Sequence, residues 1–258
     1  MNKNIIAVVF TPFLLLLVVY PMAALLAHLD WIGVTRTLAD PFFWSSLLNT
    51  IIAAFLAAIL ALVMAIGFGY THLFWRHTLI YKLANLMNDL PIALPHTVAG
   101  LALLLAFGRN AFGFIGPTGL AFTLTAVSLA MFFVSYPLAA RAVSSGVDQM
   151  EAEIIEVART LGDSPTKVYL RVVLPTLSEA LFSGFVLAFS RSLSEFASVI
   201  MFGGNVAGST QVLASYVFTK VEEGELEMAV TASAICILLA LLLVAGASLG
   251  RRTYYARG

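Results

Sequence analysis

The sequence is poor in charge and in cysteine. Charged residues make up 11% of the 258 positions and hydrophobic residues 60%, whereas a soluble domain has about 25% charged and about 45–50% apolar residues. So little charge cannot cover a water-exposed surface, which excludes a soluble enzyme, and the high hydrophobicity excludes intrinsic disorder. The single cysteine, Cys236, excludes a disulfide framework and a multi-cysteine metal site.

Two further absences restrict the function. Fourteen basic residues balance fourteen acidic ones, so no overall field attracts nucleic acid. No glycine is followed by lysine, so the phosphate-binding loop G-x-x-x-x-G-K-[ST] is missing. We therefore predict a chain that is not an enzyme, has no cofactor and performs no catalysis. If ATP drives its activity, a separate subunit must hydrolyse it.

Long uncharged stretches dominate what is present. A helix that crosses a bilayer needs roughly 20 mostly apolar residues. We predict six such spans, near 5–28, 45–71, 90–108, 118–140, 176–202 and 227–250. The sequence therefore predicts an all-α, multi-pass membrane protein that forms a single domain over residues 1–258.

Basic residues indicate the orientation of these spans. If both termini are cytoplasmic, ten of the 14 Lys and Arg residues lie inside, and Arg36, Arg109 and Lys220 lie outside. Arg191 falls within the fifth span. Because cytoplasmic loops carry the excess of Lys and Arg, we predict cytoplasmic termini.

Residues 142–175 form the longest predicted cytoplasmic segment, and their capping and turn residues predict two helices. Asp148 is the expected N-cap of the first helix, with Glu151 completing a capping box. Gly162 stands where a left-handed C-terminal cap is needed. Ser164 is the expected cap of a second helix that begins at Pro165. Apolar residues recur at helical spacing through the first helix: Met150, Ile154, Val157, Ala158 and Leu161. Such a segment either docks in a groove of a partner protein or is an ordinary solvated loop.

The same segment resembles the EAA motif of binding-protein-dependent ABC importer permeases. The motif has E-A-A, a glycine six residues after the glutamate, and I-x-L-P after nine more residues. The corresponding residues here are Glu156, Val157, Ala158, Gly162, Val172, Leu174 and Pro175. Val157 replaces an alanine and Val172 an isoleucine. In that family the motif forms coupling helices that dock on the ATPase, so residues 142–175 are called the coupling segment below.

Two other segments resemble particular members of this family of permeases. The run from Asp89 to Gly100, DLPIALPHTVAG, resembles the third-helix region of molybdate and tungstate permeases. The run 191–197 resembles the R-x-[LI]-[GS]-E-F-[GA] stretch of molybdate and sulfate permeases. The resemblance implies a type I ABC importer permease fold and a homodimer in the inner or plasma membrane. It also implies two ATPase subunits and an external or periplasmic oxyanion-binding protein.

The expected function is therefore import of a tetrahedral oxyanion by alternating access. Molybdate or tungstate is the first expectation, and sulfate or thiosulfate is the alternative. A different class, the stand-alone secondary carrier or channel, would predict charged residues in several spans, and here they occur in one.

Charges inside spans are functional candidates. Arg191 and Glu195 are four residues apart on one helix face and can pair. Either they form a structural ion pair, which is the expectation from the sequence, or they line the path of the anion.

A second group of candidates opens the third span: Asp89, Pro91, Pro95 and His96. The prolines break helical hydrogen bonds, which suits a gate, although a simple helix entry turn is the alternative. His72 and His77 are five residues apart and share no helix face, so no metal site is predicted.

The segment 209–227 is predicted to form a helix across the outer face. In the resembling family this region meets the binding protein. A lid that seals the bundle is the alternative, and both can hold.

Overall fold

The structure, a computed structural model, describes the backbone of residues 3–255 and the side chains of residues 10–248. This part of the chain is all-α, with one isolated bridge between Gly108 and Gly119. The helices are, in chain order, α1 (Lys3–Ala27), α2 (Trp31–Ala39), α3 (Pro41–Trp75), α4 (Leu79–Ala93), α5 (His96–Phe107), α6 (Arg109–Phe112), α7 (Leu124–Asp148), α8 (Ala152–Thr160), α9 (Pro165–Val168), a π-helical segment (Tyr169–Val173), α10 (Leu174–Thr176), α11 (Ser178–Leu193), α12 (Ala197–Gly203), α13 (Leu213–Glu222) and α14 (Leu226–Tyr255).

Four helices are long and apolar enough to cross a membrane: the described part of α1, α3, α7 and α14. Two bent pairs, α4 with α5 and the segment 165–176 with α11, raise the number to six if each pair is one span. The six-span interpretation of the sequence is the upper bound of this range.

Helix α3 is the central rod of the bundle. The Asp40 side chain accepts the Phe42 N–H (2.9 Å) and Pro41 occupies the first turn, which favours a helix start there. Its 35 residues correspond to about 52 Å at 1.5 Å per residue. This exceeds the roughly 30 Å hydrocarbon core, so α3 reaches both ends of the bundle.

The core forms where α3, α7 and α11 pack together. The buried face of α3 is built from small residues, which let neighbouring helices approach closely. The alanines of this face with no exposed surface are Ala53, Ala54, Ala57, Ala58, Ala61 and Ala65. Close packing against α7 and α11 therefore fixes the position of α3 in the bundle.

The prediction of one helix over 90–108 is wrong. Helix α4 continues through Pro91 to Ala93, and α5 begins at His96 after a bend of 117°. A residue before proline is pushed away from the helical region, and Leu94 is indeed extended (φ −76°, ψ 141°).

Two other predicted spans have different bounds. The fourth begins at Leu124 rather than 118, because residues 113–123 form turns and the Thr123 hydroxyl caps the helix by accepting the Ala126 N–H (3.1 Å). The fifth does not run to 202. It stops at Leu193, and α12 starts at Ala197 after a short break.

The coupling segment differs from the prediction at its first helix start. Asp148 is not an N-cap but the last residue of α7, and Glu151 precedes α8 without a capping hydrogen bond from its side chain. The second start agrees with the prediction in position, since α9 begins at Pro165 with Ser164 as its N-cap residue, but the Ser164 side chain forms no capping hydrogen bond. Gly162 has φ +92°, the left-handed conformation expected there. The helix predicted within 209–227 is present as α13.

Candidate functional site

Two helix breaks meet at the first candidate site, called the break site below: His96, Arg191 and Glu195. His96 begins α5 directly after the 117° bend. Arg191 is near the end of α11, and Glu195 lies in the break before α12. The Arg191 Nη2 atom is 2.8 Å from Glu195 Oε2 and 2.9 Å from the nearer ring nitrogen of His96. The fold thus joins residues that are 95 positions apart in the sequence.

Glu195 is the buried anchor of this site. Its side chain is 1% exposed, and its Oε1 accepts the Ser198 N–H (3.0 Å) and the Ser198 hydroxyl (2.7 Å). A buried carboxylate is tolerated when it is paired and hydrogen-bonded. These bonds also satisfy an N–H in the first turn of α12. Glu195 therefore orients Arg191 rather than facing solvent itself.

The cationic side of the break site is more open. The Arg191 side chain is 23% exposed and that of His96 is 35% exposed. Arg191 Nη1 also donates to the Ser194 hydroxyl (3.2 Å). A guanidinium presents five donors in a planar fork, and Glu195, His96 and Ser194 leave part of its surface uncovered. The arrangement can therefore offer positive charge and N–H donors to an anion.

The other predicted gate residues are arranged differently. Asp89 does not pair with Arg191; it forms an ion pair with Arg141 Nη2 of α7 (2.9 Å). Pro91 is buried inside α4, and Pro95 is the N-cap residue of α5. The prolines shape the bend, while the chemistry of the site lies in His96, Arg191 and Glu195.

The second candidate site is the surface of α8. Ala158 is buried and Ile155 is partly buried against the bundle core, so this face holds the helix to the protein. Glu156 and Val157 are exposed. A large apolar side chain, Leu161, is 82% exposed just beyond the helix end. An exposed apolar surface on a short, well-defined helix is typical of a docking element.

A Schellman motif ends α8. The Gly162 N–H donates to the Arg159 carbonyl (3.0 Å) and the Asp163 N–H to the Ala158 carbonyl (3.4 Å), which is the hydrogen-bond pattern of this motif. The positive φ of Gly162 makes it possible. The motif turns the chain sharply from α8 into α9. Farther on, Leu174 and Pro175 lie in the short helix α10, which precedes a 73° bend into α11.

A charged cluster that the sequence did not reveal joins α2, α13 and the start of α14. Lys220 bonds Glu223 (2.8 Å) and Glu225 (3.1 Å), and Arg36 bonds Glu225 (2.9 Å). Burial opposes the charge of Lys220, but the hydrogen bonds to the two carboxylates outweigh it and raise the pKa of the ammonium. The same hydrogen bond from Lys220 lowers the pKa of the Glu225 carboxyl. The cluster fixes α13 against α2 and α14.

Among the residues that the structure describes, no group of His, Cys, Asp and Glu could hold a metal ion. The run 246–250, which reads G-x-S-x-G, lies within α14. It is therefore not the strand-to-helix turn that exposes a nucleophilic serine.

An apolar bundle in which four to six helices can cross a membrane, with a short surface helix at one end, is the architecture of a multi-pass membrane protein. Residues 62–251 match the family described as "Binding-protein-dependent transport system inner membrane component". The chain belongs to this family of ABC importer permeases.

Several curated relatives cover nearly the whole chain. The probable transport system permease protein NifC of Clostridium pasteurianum is 30% identical over 88% of this chain and 81% of its own length. The sulfate transport system permease protein CysT of Escherichia coli is 32% identical over 90% of this chain and 86% of its own length. The molybdenum transport system permease protein ModB of Mycobacterium bovis is 33% identical over 92% of this chain and 89% of its own length. The chain is thus similar to both sulfate and molybdenum permeases.

The fold is similar to that of a solved bacterial alginate ABC transporter, crystallised in complex with its alginate-loaded periplasmic protein. The TM-score is 0.77 at 15% identity, covering 98% of this chain and 95% of the other. At this identity the likeness shows the fold alone.

Proposed function

We propose that this chain is the permease subunit of an ATP-driven importer for a tetrahedral oxyanion, with molybdate or tungstate as the substrate. The observation that carries the proposal is the Arg191 guanidinium, held by the buried Glu195 and left partly exposed where two helix breaks meet. Broken helices at membrane depth occur where they face protein or a watery cavity. A divalent anion that crosses the membrane needs such donors and positive charge along its route.

We assign Arg191 to the anion path in preference to a purely structural role. The exposures of the pair support this choice, since Glu195 is 1% and Arg191 23% exposed. Here the anchor is buried and the cation reaches the open side, together with His96. Asp89, Pro91 and Pro95 act on this path through the geometry of the α4–α5 bend.

The proposal includes the partners that drive transport. Glu156, Val157, Gly162, Leu174 and Pro175 form the surface on which an ATPase subunit docks, and the buried Ala158 fixes the helix that carries this surface to the bundle. Two copies of the chain, each a single permease domain over residues 1–258, enclose the path, and two ATPase subunits power alternating access. A periplasmic or external binding protein delivers the anion at the end that carries α13. The chain itself makes and breaks no covalent bond.

Sulfate is the second candidate, because the CysT relatives match as well as ModB does. Sulfate, molybdate and tungstate share shape and charge and differ in size. We expect the complex with its ATPase and binding protein, reconstituted in liposomes, to take up molybdate and tungstate at least tenfold faster than sulfate, since a binding site sized for one anion discriminates by a few kcal/mol. Faster sulfate uptake would assign the sulfate alternative. Uptake of none of the three anions would contradict the proposal.

We also propose that both termini face the cytoplasm, and this topology has its own test. In a Cys236→Ser background, Glu223→Cys is expected to react with a membrane-impermeant maleimide added outside intact cells, because positive charge favours the coupling end inside. Lys167→Cys is expected to react only after the membrane is permeabilised. Glu223 is the better outer position because Lys220 is largely covered. Reversed labelling of both positions would overturn the topology.

A further inference from the structure

A polar network joins α3, α4 and α7 at the end of the bundle that carries the coupling segment. His72 is 6% exposed on the last turns of α3. Its Nδ1 atom is 2.6 Å from the Tyr81 hydroxyl of α4, and its Nε2 atom is 3.0 Å from Asp148 Oδ1. Arg76, directly after α3, donates to the same carboxylate oxygen (2.9 Å). None of these four residues belongs to the EAA motif or to the break site.

A carboxylate only accepts, so Nε2 of His72 carries a hydrogen and donates to Asp148. The Tyr81 hydroxyl can donate to Nδ1 or accept from it, so this bond forms whether or not Nδ1 carries a hydrogen. Every polar group at the centre of the network thus has a partner of the correct type. The outer bond, from Arg76 to Asp148, joins two half-exposed side chains and contributes little by itself.

Asp148 gives the network its position in the fold. It is the last residue of α7, and α8 begins four residues later at Ala152. The chain therefore enters the α8 helix directly from a residue that is bonded to α3. The negative charge of an aspartate is unfavourable at the C-terminus of a helix, where the helix dipole is also negative. The bonds from His72 and Arg76 to Asp148 offset this cost.

The other end of the coupling segment is also fixed to α3. The Tyr169 hydroxyl donates to the Ile66 carbonyl (2.6 Å), and the rings of Tyr70 and Tyr169 meet edge to face at 5.3 Å. Gly69 lies at this contact, where a Cβ atom would stand 2.7 Å from the Tyr169 hydroxyl oxygen. The chain that enters α8 and the chain that leaves α9 are therefore both held by the last three turns of α3.

At its opposite end α3 holds the segment that leads into α13. Ser46 donates to the Gln211 side chain (3.1 Å), Asn49 to the Ser209 carbonyl (2.9 Å), and the Thr50 hydroxyl accepts the Leu213 N–H (2.7 Å). One continuous helix thus contacts both the coupling segment and the segment before α13.

We propose that the Tyr81–His72–Asp148 network transmits the movement of the coupling segment to α3, so that His72 and Asp148 are positioning residues for the coupling of ATP hydrolysis to transport. The proposal rests on the function proposed above, because it requires an ATPase docked on α8. A docked ATPase that moves α8 would then move α3 with it as a rigid body. The polar bonds at the start of the coupling segment and the Tyr169 contact at its end both join this segment to α3. Without the network the coupling segment would keep the Tyr169 contact to α3 but lose its attachment at the start of α8, so that α3 would follow the movement of α8 less closely.

The test measures three quantities on the complex of the full-length chain with its ATPase and binding protein in liposomes, with molybdate and sulfate as probes. They are the amount of ATPase retained, the rate of ATP hydrolysis and the uptake of anion. For His72→Ala and Asp148→Ala we expect ATPase retention at the wild-type level and continued hydrolysis, while the uptake per ATP falls about tenfold, as expected for the loss of an element that couples two sites. Asp148→Asn keeps an oxygen acceptor for His72 and is expected to restore most of the ratio.

Matched controls separate coupling from general damage. His77 is an exposed histidine five residues after His72, and the Gln149 side chain donates to the Ser145 hydroxyl of α7. His77→Ala and Gln149→Ala are expected to keep the wild-type ratio. Tyr81→Phe removes the hydroxyl and otherwise keeps the shape of the side chain. If His72→Ala does not assemble, the uptake per ATP of Tyr81→Phe tests the network instead. An unchanged uptake per ATP in Asp148→Ala and Tyr81→Phe would overturn this inference alone. Failure of the unmodified chain to retain ATPase would overturn the proposed function and this inference with it.

Discussion

Arg191→Leu is expected to lose most of the assembled protein, because it leaves the Glu195 carboxylate buried without its cation. Removing one partner of a buried ion pair costs about 3–5 kcal/mol, a large part of the typical 5–15 kcal/mol of folding stability. Glu195→Leu is expected to cost less, since the Arg191 side chain it frees is 23% exposed and keeps His96 and Ser194 as neighbours. Detergent-solubilised yield and thermal unfolding of the two single variants measure this asymmetry.

The double variant Arg191→Leu with Glu195→Leu separates stability from transport. It removes both charges, so assembly and ATPase binding are expected to recover. Oxyanion uptake is expected to stay at least tenfold below that of the unmodified chain, because a site without its guanidinium loses charge-assisted hydrogen bonds to the anion. Recovery of uptake together with assembly would show that the pair is structural and would remove Arg191 from the anion path.

Gly162→Val is expected to release the ATPase while the chain still inserts and folds. A residue with a Cβ in the left-handed region costs about 1–2 kcal/mol, and valine is worse because its branched side chain tolerates few backbone conformations. The Cβ atom itself would meet open space, so the effect comes from the backbone. Loss of the Schellman motif redirects the turn between α8 and α9, where the docking surface lies. Co-purification of the ATPase with the variant measures the effect.

Gly224 offers a matched control for this substitution. It also has a positive φ (+78°) and open space around its missing Cβ, but it follows α13, at the opposite end of α3. Gly224→Val is therefore expected to carry a similar strain and to retain the ATPase. If Gly162→Val keeps both ATPase binding and transport, the docking surface is wrongly assigned. If the two variants lose the ATPase equally, the loss reflects general instability.

Local signals predicted the parts of the structure that depend on a few neighbouring residues. Gly162 has the predicted positive φ because the turn between two short helices needs a residue without a Cβ. The start of α9 at Pro165 has an equally local reason, because the fixed φ of proline suits the first position of a helix. Asp148 shows the limit of this reasoning. Its type and its spacing to Glu151 fit a capping box, yet the helix before it runs on to that residue, and its carboxylate bonds His72, 76 positions away.

The helix breaks could be predicted only in part. Pro95 marks a weak point, but the sequence does not say that α4 and α5 meet at 117°. The break after Leu193 has no proline and no glycine. At this break the buried Glu195 accepts hydrogen bonds from Ser198 and pairs with Arg191, which also meets His96 from another helix.

The sequence by itself determined that this chain is an all-helical membrane protein of the ABC permease family. Hydrophobicity and charge are sums over residues, and a motif such as EAA is a local string, so both can be read without coordinates. Only the tertiary structure decided which polar residues meet. It brought His96 to Arg191 and Glu195, and His72 to Tyr81 and Asp148, because a polar group in a bundle is stable only where packing supplies a partner. Partners supplied by other helices leave no trace in sequence spacing.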